Sequence, residues 1–153
     1  MNKVEYIPGD LVMTNGVPLG TEQDVVYRVT SSDPSKTLKL DDGTVMKGVV
    51  RLENLEGLEF GDKGFLFGDC CAWVKDIVPI PLTPEILEKN GWKFYHGFYC
   101  SPNEEGVGMR LSSQTGYVWN ACTSQMLLRS DINSVSDLQH LLFGLGLNSE
   151  MEV

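Results

Sequence analysis

Apolar and polar residues alternate in short runs over the first half of the chain. The pattern breaks at a proline-rich junction near residue 80, resumes, and ends in leucines spaced for a helix. Residues 9–13 and 25–29 form the first two strand-like runs. A third run, 37–40, leads into Asp41-Asp42-Gly43, where a glycine able to take positive φ predicts a hairpin turn. From 45 to 52, Val45, Lys47, Val49 and Arg51 fall on one face of a strand, and Met46, Val50 and Leu52 on the other. Residues 65–67 and 71–74 complete the set, and 55–63 is too acidic and glycine-punctuated for a core strand. Several short strands at close spacing predict a small barrel over residues 1–78.

The junction reads as a helix with a start, a face and a stop. Thr83 is a good N-cap, Pro84 suits the first helical position, and Glu85 faces the positive end of the helix dipole. Leu82 and Leu87 can staple the first turn, Gly91 ends the helix, and Pro79 and Pro81 keep the approach extended. This predicts a short helix over 83–90, anchored by Ile86, Leu87 and Trp92. Beyond it, 94–99 reads as one strand, 101–106 as a loop, 108–111 and 117–120 as strands flanking a turn at 114–116, and 125–129 as a last strand. Ser134, with Asp137 as its reciprocal partner, caps a helix over 134–146, in which Val135, Leu138, Leu141, Leu142 and Leu145 recur at helical spacing and Phe143 widens the stripe. Gly144 and Gly146 weaken its end, and 148–153 is expected to fray. The fold class is therefore α+β. An N-terminal small β-barrel, SH3-like from its Gly-Asp-Leu-Val opening at 9–12, occupies 1–78. An antiparallel sheet with two short helices occupies 79–153.

Two segments carry a resemblance. Pro79-Ile80-Pro81-Leu82-Thr83-Pro84-Glu85-Ile86-Leu87, followed by Gly91-Trp92, resembles the "PIPLT-E-L---GF" segment of a family of small proteins found in Bacteroidetes and their phages or mobile elements. The closing helix of that family resembles VHQLQNLYFALTG, and Val135-Ser136-Asp137-Leu138-Gln139-His140-Leu141-Leu142-Phe143-Gly144-Leu145 takes its place here. The resemblance implies a barrel-like first lobe, an α+β second lobe and no activity. Ser136 stands where the family has histidine and His140 where it has asparagine, so no role resting on that imidazole carries over.

Charge narrows the range of partners. The net charge is −9, with 13 acidic and 8 basic residues in 1–78 and 8 and 4 in 79–153. Such an even spread fits a solvated surface better than DNA mimicry, and it argues against nucleic-acid binding, which needs clustered lysine and arginine. No apolar run reaches the ~20 residues of a membrane helix, and residues 1–10 lack the apolar core of a signal peptide, so a cytoplasmic location in a bacterial host is expected. Cys70, Cys71, Cys100 and Cys122 show no C-x-x-C spacing and read as buried free thiols. Neither a metal nor a cofactor is expected.

Catalytic signatures are lacking. The pairs Asp41-Asp42 and Glu104-Glu105 lie in turns, Gly106-Val107-Gly108 lacks a third glycine and a following helix, and no nucleophile motif is present. The aromatic residues of the second lobe stand out. Taken as one strand, 94–99 places Tyr95 and Tyr99 on one side and Phe94, His96 and Phe98 on the other. Tyr95, Tyr99, Arg110 and Trp119 are the candidate binding residues, combining stacking surface with a guanidinium. The expectation is a non-enzymatic interaction protein of phage or mobile-element origin that binds a host or phage protein and so modulates host defence. The alternative is a small-ligand protein that sequesters a nucleotide signal in a pocket of those four residues at a homo-oligomer interface. A hydrolase pairing a carboxylate with His96 is a third reading.

Overall fold

The computed structural model describes residues 6–16, 25–55, 70–102, 108–113, 118–123 and 125–153. The chain divides into two compact units, residues 1–80 and 81–153. The strand expected at 65–67, the loop at 55–63, the turn at 114–116 and the pairs Glu104-Glu105 and Gly106-Val107 lie wholly or largely outside the described residues.

The first unit is a five-stranded antiparallel sheet. Its strands are β1 (Leu11–Thr14), β2 (Tyr27–Lys39), β3 (Val45–Asn54), β4 (Cys70–Trp73) and β5 (Ile77–Pro79), in the order β4-β3-β2-β1-β5. The expected runs at 25–29 and 37–40 are one long strand, because β2 pairs with β3 along its length through two register shifts. The β2–β3 turn forms where Asp42-Gly43 predicts it, with Gly43 at φ 90° and the Gly43 N–H donating to the Leu40 carbonyl. Along β3 the alternation holds: Met46, Val50 and Leu52 are buried, while Val45, Lys47 and Arg51 are exposed. The buried members join Tyr6, Val12, Val25, Tyr27, Val29, Ala72 and Ile77 in the core.

A 3-10 turn, Val74–Asp76, is the whole connection from β4 to β5. In a flat sheet four strand spacings, about 19 Å, would separate those strands. Three residues at about 2 Å each cannot span that distance, so the sheet must curl. It remains open nonetheless: among the described residues β4 and β5 do not pair, and no closed barrel forms.

In the second unit α1 (Pro84–Lys89) is followed by β6 (Lys93–Tyr95), β7 (Phe98–Cys100), β8 (Arg110–Ser113), β9 (Trp119–Cys122), β10 (Leu127–Ile132) and α2 (Val135–Gly144). The strands form a second antiparallel sheet in the order β10-β9-β8-β7-β6. Its core holds Leu82, Leu87, Trp92, Met109, Leu111, Trp119, Ala121, Ile132, Val135, Leu138 and Leu142. Thr83 caps α1 by accepting from the Ile86 N–H at 3.3 Å, and Ser134 caps α2 by accepting from the Asp137 N–H at 3.1 Å. The Asp137 carboxylate accepts from the Asn133 N–H, one residue before the cap.

Both helices stop in the same way. In α1 the Gly91 N–H donates to the Glu88 carbonyl and the Trp92 N–H to Leu87. In α2 the Gly146 N–H donates to Phe143 and the Leu147 N–H to Leu142. This double bond pattern needs a left-handed residue, and Gly91 and Gly146 supply it at φ 86° and 73°. Gly146 is thus a stop signal rather than a weak point. Residues 148–153, expected to fray, are instead held by hydrogen bonds with Lys89, Asn90 and Gln139. No helix among the described residues is long and apolar enough to cross a membrane.

Candidate functional site

The second sheet has one face turned to the helices and one left open. The boundary is set by a hairpin. Residues 94–99 are not one strand: Tyr95 pairs with Phe98 and Phe94 with Tyr99 across a two-residue turn at His96-Gly97. Both turn residues have positive φ, 48° and 85°, as a type I′ turn requires. Histidine is among the few side chains that tolerate this region, but His-Gly is a weaker turn signal than Asn-Gly or Asp-Gly. The turn reverses every side chain after it relative to a continuous strand, since residues directly opposite each other share a face.

The four candidate residues therefore divide two and two. Tyr99 is paired with Leu111, and Leu111 with Ala121, on the face that also holds Trp119 and Ile132. That face packs against the helices. Trp119 is 3% exposed, and its indole N–H donates to the Leu82 carbonyl at 2.7 Å. Tyr99 meets Trp119 edge-on at 5.7 Å, and its hydroxyl donates to Glu88 of α1 at 3.3 Å. Burial, reinforced by the Glu88 carboxylate, pushes the Tyr99 phenol above its ordinary value. Phe94 shares this face at the sheet edge and leans on Tyr99 at 5.1 Å.

Tyr95 and Arg110 lie on the other face. Four paired registers place Lys93, Cys100, Arg110, Cys122 and Leu127 in one row across the whole sheet. Tyr95, 65% exposed, stands two residues along from Lys93 and packs edge-on with His96. The Arg110 guanidinium lies 5.9 Å from the centre of the Phe98 ring, a cation–π separation. The described residues of β6–β9 place no carboxylate on this face, although the chain carries net −9. Cys100 and Arg110 also border a groove of about 290 Å³ with Ser101, Gly108, Met109 and Thr123.

The sequence sets an exposed aromatic face beside Arg110 or Lys93, and both lie on this face, but it did not single out Phe98, Cys100 and Cys122 as its members. The signal that could have found Phe98 and Cys100 was the His96-Gly97 dipeptide. Cys71, Cys100 and Cys122 are free thiols as expected, but they are not buried: Cys71 is exposed, and Cys100 and Cys122 are half-buried. Cys100 and Cys122 flank Arg110 in adjacent strands and so stand two strand spacings apart, about 10 Å, too far for a disulfide. Ser136 is buried with its hydroxyl 3.2 Å from that of Ser134. Among the described residues no three His, Cys, Asp or Glu side chains are grouped to hold a metal ion. The arrangement offers two cations, two aromatic rings and two thiols on one face of the sheet. No protein-family model, curated protein or solved structure matches the chain.

Proposed function

We propose that the protein is a non-enzymatic interaction module that binds an acidic segment of a protein partner through the open face of its second sheet. In the setting implied by the Bacteroidetes and phage resemblance, the partner is a host or phage protein and the effect is on host defence. The observation that carries this reading is the row Lys93–Cys100–Arg110–Cys122, a carboxylate-free stripe on a chain of net charge −9. Such a stripe steers acidic partners, and Tyr95 and Phe98 beside it supply apolar contact. In the first unit, the order β4-β3-β2-β1-β5 with a 3-10 turn before the last strand supports an SH3-like barrel left unclosed, a small scaffold consistent with the same role.

A second reading has its own observation. Arg110 over Phe98 pairs a guanidinium with a ring, which suits an anionic aromatic ligand such as a nucleotide. Tyr99 and Trp119 do not contribute to that site, since both face the helices.

The test is capture from bacterial lysate by the wild-type chain and by the double variant Lys93→Glu, Arg110→Glu, with calorimetry against a nucleotide panel alongside. A partner whose recovery falls about tenfold or more in the variant, at unchanged unfolding midpoint, supports the first reading. Saturable nucleotide heat abolished by Arg110→Ala supports the second. If every captured protein is recovered equally by both chains, the protein-binding reading falls.

A further inference from the structure

Residues 148–153, which open with an Asx turn in which the Glu150 N–H donates to Asn148 Oδ1, bond to the last turn of α1 and to the middle of α2. Ser149, Met151 and Val153 are half-buried, while Glu150 and Glu152 between them are exposed, the alternation of a strand. The groove holds this segment by its main chain. The Asn90 side-chain amide brackets residue 152: its Nδ2 donates to the Glu152 carbonyl at 2.7 Å, and its Oδ1 accepts from the Glu152 N–H at 2.8 Å. Gln139 Nε2 donates to the Ser149 carbonyl at 3.1 Å, and Lys89 Nζ to the Val153 carbonyl at 2.9 Å. Each of these four bonds ends on a backbone atom of the segment. Asn90 is itself fixed, because its Nδ2 also donates to the Ile86 carbonyl at 2.8 Å. Beside the segment lies a cavity of about 280 Å³ whose lining includes Trp92, Pro102, Leu142, Leu147 and Met151.

A site that reads backbone amides and carbonyls, with an apolar hollow for alternate side chains, recognises extended peptides as a class. The geometry points to this groove as a docking site for an extended segment of a protein partner carrying apolar residues two positions apart, with residues 148–153 as its intramolecular occupant. The partner segment displaces 148–153 and takes over the Asn90 bracket, its two apolar side chains replacing Met151 and Val153. The groove shares no residue with the Lys93–Arg110 row, so this inference stands or falls apart from the reading of the open face.

The probe is a fluorescent hexapeptide with the sequence of residues 148–153, followed by anisotropy. The full-length double variant Met151→Gly, Val153→Gly weakens the internal occupant without shortening the chain. It binds the peptide about tenfold more tightly than wild type, and a chain ended after Leu147 behaves alike. Adding Asn90→Ala to the glycine variant removes two bonds and costs about tenfold in affinity. A peptide with aspartate in place of its methionine and valine does not bind. Equal binding by wild type and the glycine variant overturns the proposal. So does no saturable binding below about 1 mM, Asn90→Ala without effect, or equal binding of the aspartate peptide.

Discussion

The two faces of the second sheet are built from similar residues and do opposite things. The helix face spends its polar atoms internally: the Trp119 indole on Leu82, the Tyr99 hydroxyl on Glu88, and Arg129 of β10 on the carbonyl and carboxylate of Asp137. The open face holds Tyr95, Phe98, Lys93 and Arg110, whose rings and charges make no hydrogen bond or ion pair to a helix among the described residues. Aromatic composition alone does not separate structure from recognition. What separates them is whether the polar end of each side chain already has a structural partner.

The largest expected effect tests that contrast directly. Trp119→Ala removes a buried ring and orphans the Leu82 carbonyl, and urea denaturation should show a loss of about 3–5 kcal/mol. Tyr95→Ala on the open face should change stability by no more than about 0.5 kcal/mol. Comparable losses from both substitutions would show that the open face is packed, and the comparison would break.

Much of this arrangement was legible in local pattern. The Thr83-Pro84 start and Gly91 stop of α1 follow from rules spanning a few residues, and the alternation on β3 follows from its period of two. The faces of the candidate residues were not legible, because Phe-Tyr-His-Gly-Phe-Tyr is strand-prone throughout and its turn rests on one histidine at positive φ. Tyr95 and Arg110 reach the open face, while Tyr99 and Trp119 do not, and a single two-residue reversal accounts for the split. The docking of residues 148–153 was hidden for another reason. Asn90 and Glu152 are 62 positions apart, and nothing in a short hexapeptide announces a distant amide that will bracket it. The curl of the first sheet was anticipated by the small barrel expected over residues 1–78, but its lack of closure was not, because strand spacing does not say whether β4 and β5 pair.

A smaller effect sharpens the account of the helix face. Asp137 accepts from the Asn133 N–H at 3.0 Å and meets Arg129 at 3.2 Å, tying β10 to the first turn of α2. Asp137→Ala leaves the Ser134 cap in place but removes both contacts. Because the ion pair is partly exposed and screened, the expected loss is about 1 kcal/mol. Raising the salt concentration should narrow the gap between wild type and variant by the ionic share of that loss. A salt-independent gap would assign the whole effect to the backbone hydrogen bond.

The smallest effect is a change in the shape of a pH profile. Burial first, and then the Glu88 carboxylate, raise the Tyr99 phenol above its ordinary value of 10.0. The folded chain therefore holds this proton more tightly than the unfolded chain, which ionises first as pH rises. The resulting stability is fully present below about pH 10 and is lost as pH climbs through the raised folded value. Tyr99→Phe has no proton to lose there. Unfolding midpoints in urea for the two chains should run parallel from about pH 7 to 9 and converge, or cross in favour of Tyr99→Phe, above about pH 10. Parallel curves across the whole range would mean that the hydroxyl near Glu88 is solvated like an ordinary surface phenol. The helix face would then end at Trp119, and Tyr99 would belong with Tyr95 among the groups free to meet a partner.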